Sequence, residues 1–132
     1  MGLSPILGRR IEFLPGICEI DHTGFLTGID EFDMSDQQWN PLLNIYFLFE
    51  GKLKTPPNDI FKRYNTVSFF TQRGYRKFRK AIHKAAEILN TYHYPTTDIA
   101  RWISPTHIIY KDELQILIER SVYQNVYQYN GH

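Results

Sequence analysis

The sequence predicts an α+β fold, a mostly antiparallel sheet carrying one main amphipathic helix over about 72–90. Two observations carry this reading. Short stretches that alternate apolar with polar residues lie on either side of turn signals, Pro15-Gly16 and Lys111-Asp112, as antiparallel strands do. Tyr75, Phe78, Ile82, Ala85, Ala86 and Leu89 recur at the spacing of one helical face. The 132 residues suit a single domain spanning 1–132, long enough to bury a core of its own.

Residues 9–14 and 17–20 alternate and are joined by Pro15-Gly16, which predicts two short strands. Residues 25–29 could add a third. Ser35-Asp36-Gln37-Gln38 has the form of a capping box. Pro41 lacks an N–H, so at most one helical turn is expected before it. Residues 42–49 are then expected to form a strand buried on both faces, with a helix continuing past Pro41 as the alternative. Residues 55–59 (TPPND) read as a loop. Thr71 is the expected N-cap of the helix at 72–90, and Asn90 its stop with Pro95 beyond. Residues 106–110 and 113–119 read as a hairpin. Leu114, Leu117, Ile118, Val122 and Val126 also fit a helix, and the β-branched isoleucines tip the reading to strands.

Apolar residues make up 42% of the chain and charged residues 22%, which excludes a disordered or collagen-like polymer. The longest apolar run, 45–49, is far short of the ~20 residues of a membrane helix, so no membrane partner is expected. The single cysteine, Cys18, excludes an intrachain disulfide and a CxxC site. The N-terminal residues lack the apolar core of a signal peptide, and Ile6 stands where a myristoylation motif needs Ser or Thr. A cytoplasmic protein is the expectation.

A net charge of +1 conceals a segregated pattern. Residues 1–50 carry two basic and eight acidic groups, whereas residues 51–93 carry ten basic and two acidic ones. Arg73, Arg76, Lys77, Arg79, Lys80, His83 and Lys84 are expected to cover the outer face of the long helix. Several sit in its first two turns, where the helix dipole disfavours cations by ~0.3–1 kcal/mol each. A stretch that works against its own dipole implies an anion nearby: the chain's acidic half, an acidic protein partner, or a phosphate backbone. A sequence pI near 7.9 weighs against nucleic acid, whose binding domains commonly exceed pI ~9. Asp30, Glu31, Asp33 and Asp36 form the complementary acidic candidate. They could be a solvated loop or a surface that docks a basic partner. Phe32 occupies the third place of a loop starting at Asp30, so the calcium-loop pattern fails.

Six of nine tyrosines lie after residue 90; they read as half-buried sheet residues or as interface anchors. Trp39 and Trp102 are expected to complete the core. The five histidines show no metal-ligand spacing, and no phosphate loop, dinucleotide fingerprint or nucleophile elbow occurs. Neither catalysis nor a cofactor or metal is therefore expected; the enzymatic arrangements the residues could offer are a His83–Lys80–tyrosine site and a Cys18–histidine couple. Cys18, between Ile17 and Ile20, reads as a small core hydrophobe.

Residues 108–118 (IIYKDELQILI) resemble a strand–turn–strand of small bacterial toxin-immunity proteins, as do residues 67–74 (VSFFTQRG) opening into the helix. Together these stretches cover about twenty residues of the chain. The resemblance implies an immunity protein of a contact-dependent or polymorphic toxin system: small, cytosolic, non-enzymatic, and tightly bound to one cognate toxin domain. The leading expectation is accordingly an inhibitor that occludes its partner through Asp30, Glu31, Asp33 and Asp36. The alternative is a nucleic-acid-binding module using Arg73, Arg76, Lys77, Arg79, Lys80 and Lys84.

Overall fold

The computed structural model describes residues 4–13, 18–20, 35–91 and 96–127. It is an α+β fold built on one antiparallel sheet. The strands are β1 (Ile6–Phe13), β2 (Cys18–Ile20), β3 (Thr66–Thr71), β4 (Thr96–Ile103), β5 (Ile108–Lys111) and β6 (Gln115–Glu119). The helices are α1 (Asp36–Lys52), α2 (Asn58–Arg63) and α3 (Gln72–Thr91). β1 is central: β4 runs along its whole length on one side, while β3 and β2 share the other. β3 then pairs with β6, and β6 with β5.

Each face of the sheet carries a hydrophobic cluster. On one, α3 lays Phe78, Ile82, Ala85 and Leu89 against Ile11 and Phe70, and α1 adds Leu42 and Ile45. On the other, Val67, Phe69, Ile103, Ile116 and Ile118 pack under Tyr123 and Tyr127. Those two tyrosines come from a short helical segment, Arg120–Val122 continuing as a π turn through Tyr123–Tyr127. The strand reading of the C-terminal third therefore holds to Glu119 and gives way to helix beyond it. Pairing between β5 and β6 starts at Ile108, and the turn between them falls after Lys111.

Three expectations are corrected. Residues 42–49 are not a strand. They belong to α1, which runs through Pro41. Pro41 forfeits one backbone hydrogen bond, a cost of about 3 kcal/mol inside a helix. Burial of Leu42 and Ile45 on the helical i, i+3 spacing offsets it, while Phe47 (60% exposed) and Leu48 turn outward, as no doubly buried strand permits. The loop expected over 55–59 gives way at Asn58, where α2 begins. Trp102 is not a core residue; it is 66% exposed. β3 and β4 were not legible as strands. β3 alternates polar with apolar residues only over Thr66-Val67-Ser68-Phe69, although all six of its residues are buried, and β4 is a largely exposed strand with Ile99 and Ile103 as its buried residues.

The expected strand at 25–29 lies outside the described residues. No described helix is long and apolar enough to cross a membrane.

Candidate functional site: the cationic face of α3

α3 is specified locally. Thr71 caps it as expected, its Oγ1 accepting from the Gly74 N–H at 3.0 Å. The same hydroxyl donates to the Glu113 carbonyl at 2.6 Å, and the Thr71 N–H to the Leu114 carbonyl at 3.0 Å. The start of α3 is thus tied to the β5–β6 turn. With the apolar face of α3 turned to the sheet, the polar residues of the helix point to solvent.

Arg73, Arg76, Lys77, Arg79, Lys80 and Lys84 are all exposed. Arg73, Lys77, Lys80 and Lys84 follow the 4, 3, 4 spacing of a single helical stripe, a row of positive charge about 16 Å long at 1.5 Å per residue. Arg76 and Arg79 flank it. Arg73 meets Glu113 at 3.5 Å in a pair exposed on both sides, an arrangement worth little in water. The other five cations make no ion pair among the described residues. Glu87 is the one acid on the helix.

Of the four acidic candidates, Asp30, Glu31 and Asp33 lie outside the described residues. Asp36 is the first residue of α1, and its backbone alone is described. Trp39 and Cys18 are likewise placed by backbone, in α1 and β2.

The structure does join His83 to a tyrosine. The Tyr75 hydroxyl and His83 Nε2 lie 2.9 Å apart, and the Arg9 guanidinium stacks 4.0 Å from the Tyr75 ring. Lys80, one helical turn before His83, makes no hydrogen bond to either. A second pair, His107 Nδ1 with the Tyr127 hydroxyl at 2.6 Å, lies across the fold on the covered face. There Tyr127 also accepts from the Ser104 N–H. Among the described residues no three His, Cys, Asp or Glu side chains converge as a metal site.

The β5–β6 turn beside Arg73 is closed by hydrogen bonds to Asp112. Asp112 accepts from the Tyr110 hydroxyl, the Leu114 and Gln115 N–H groups and Gln115 Nε2, at 2.8–3.1 Å. Burial by itself would raise its carboxyl, but these four hydrogen bonds outweigh it and hold Asp112 below the usual carboxylate range. Burial and the bond to Asp112 push the Tyr110 hydroxyl up to about 12.

Sequence reasoning did not find the groove at the head of this helix. It measures about 570 Å³ and is lined by Ile6, Leu7 and Trp102 with Arg73, Lys111, Asp112 and Glu113 at its polar side. The available signal was Ile99 and Ile103: two core residues four apart in a strand put Trp102 on the opposite face.

Comparisons with protein-family models, with curated proteins and with solved structures return no match to this chain.

Proposed function

We propose that this chain works by binding, with the cationic face of α3 as its contact surface and a protein bearing an acidic patch as its partner. The observation that carries the proposal is the exposed Arg73–Lys77–Lys80–Lys84 row, whose lysines have no acidic counterpart among the described residues. Such a row raises the encounter rate with an acidic surface and fixes its orientation. The sign is opposite to that of an inhibitor acting through Asp30, Glu31, Asp33 and Asp36.

An immunity-type inhibitor acting in the cytoplasm fits this surface. In support, the two stretches that resemble immunity proteins adjoin in the fold: β3 and the start of α3 are hydrogen-bonded to the β5–β6 hairpin through Thr71, Glu113 and Leu114. The second reading, a nucleic-acid module, is favoured by the single-file spacing of the cations.

The test is capture by the tagged full chain from lysate of the producing cell, with and without nuclease. The lysine-reversed variant Lys77→Glu/Lys80→Glu/Lys84→Glu is run beside it. One stoichiometric protein, retained after nuclease and lost with the variant, is the expected result. Retention of that protein by the variant contradicts the α3 surface. Recovery of nucleic acid alone moves the function to the second reading.

A further inference from the structure

Arg73 both heads the cation row and lines the Trp102 groove, so the two surfaces are continuous. Leu7 and Trp102 are directly paired across β1 and β4 and stand on one face of the sheet. These two side chains give the groove its apolar surface, and Ile6, whose side chain packs on the opposite face of the sheet, borders it only at the strand end. Its volume of about 570 Å³ lies within the ~300–1,000 Å³ of clefts that seat a ligand group.

The rim decides the kind of occupant. Arg73 and Lys111 are matched by Asp112 and Glu113, with Arg73 and Glu113 in contact at 3.5 Å. The charged side chains of the rim, two cations and two anions, sum to zero, and the two carboxylates oppose the pull that the N-terminus of α3 at Thr71 and Gln72 exerts on a phosphate. Asp112 is already saturated by four hydrogen bonds, so it is not an open cation ligand. What remains is an indole two-thirds exposed beside Leu7, the type of residue that anchors protein interfaces by stacking and burial.

We propose that the groove receives an aromatic side chain carried by the acidic protein partner, with Trp102 as the anchor on which it stacks. This rests on the α3 reading above: the row holds the acidic segment, and the groove reads one side chain within it.

The probe is a pair of glutamate-rich peptides of equal length, one with a central Phe and one with a central Ser. Each is titrated into the full chain at low salt. Amide NMR signals report on α3, and the two tryptophan indole N–H signals on the groove, the Trp102 signal being assigned with Trp102→Phe. The Phe peptide should bind at least five-fold tighter than the Ser peptide and move the Trp102 signal. Trp102→Ala should erase that preference and leave affinity for the Ser peptide unchanged. Trp102→Phe should retain most of the preference. Lys77→Glu/Lys80→Glu/Lys84→Glu should weaken both peptides alike.

Equal affinity for the two peptides, with α3 signals still moving, overturns the groove proposal and leaves the α3 reading standing. Failure of both peptides to bind overturns both. An oligothymidylate that moves the Trp102 signal where the Phe peptide does not assigns the groove to nucleic acid and overturns the peptide. Self-association that shields Trp102 without peptide assigns it to a second copy of the chain and overturns the proposal equally.

Discussion

Gly74 sits where α3 comes closest to the hairpin. A Cβ built there would lie 2.0 Å from the Leu114 carbonyl oxygen. Alanine in a helix interior ordinarily gains about 1 kcal/mol over glycine, but here the obstacle is backbone and cannot swing aside. Gly74→Ala should destabilise the fold by about 1–3 kcal/mol, as overpacking does, readable as a lowered urea midpoint. Arg10 is the other residue on which the fold turns. It is 1% exposed, pairs with Glu12 at 3.1 Å, donates to the Ser68 carbonyl at 2.8 Å and stacks on Phe69 and Tyr123. The Tyr123 hydroxyl also donates to Glu12, which ties the C-terminal helical segment to β1. Arg10→Ala removes the ion pair of Glu12 and leaves that carboxylate with the Tyr123 hydroxyl as its hydrogen-bond partner, and should cost about 3–5 kcal/mol. Arg10→Met with Glu12→Leu, which removes both charges, should cost much less. Thermal melts of the two variants check this. Arg9 and Arg10 are the only cations of the first fifty residues, and the charge pattern alone did not distinguish the buried one from a surface group.

At the scale of elements, the β5–β6 hairpin carries a pH dependence of defined sign. Asp112 titrates below the usual carboxylate range when folded, so its carboxylate stabilises the native state at neutral pH. That stabilisation declines as pH falls below the unfolded value and is gone below the native one. The stability gap between wild type and Asp112→Asn should therefore shrink on acidification below about pH 4. Tyr110 runs the other way: its native value of about 12 favours the protonated hydroxyl, so the gap to Tyr110→Phe should close as pH rises from about 10 through that value. Urea unfolding across pH reads both. How far each element was legible follows the same logic. α3 was legible to its cap, because its apolar spacing, Thr71 and its solvent face all agree. α1 was not, because Pro41 is a local stop signal and the burial that overrides it comes from α3, distant in sequence. The isoleucines of β6 were readable as strand, while Tyr123 and Tyr127 fold as helix because Phe69 and Ile103 offer them a face to cover. Trp102 was misplaced for the same reason as β4: in a strand paired along one edge, composition does not say which side α3 leaves open.

At the scale of the whole molecule, charge is sorted by position in the fold. Among the described residues the cations of residues 73–84 gather on one helix face, and Arg10 is neutralised inside. The row was legible in the sequence because helical periodicity alone places it. Whether it faced an internal acid was not, since that depends on tertiary placement; of the described acids, Glu113 alone meets it. A surface of this kind predicts binding that weakens steeply with salt over tens to hundreds of millimolar, as the ~10 Å Debye length at 0.1 M requires. The most direct test of the central claim is an amide NMR titration of the full chain with the Ser-centred glutamate-rich peptide at 20 mM and 200 mM salt. Shifts should run along Arg73, Lys77, Lys80 and Lys84 at low salt and be largely lost at high salt. Shifts confined to other surfaces, or binding indifferent to salt, would contradict it.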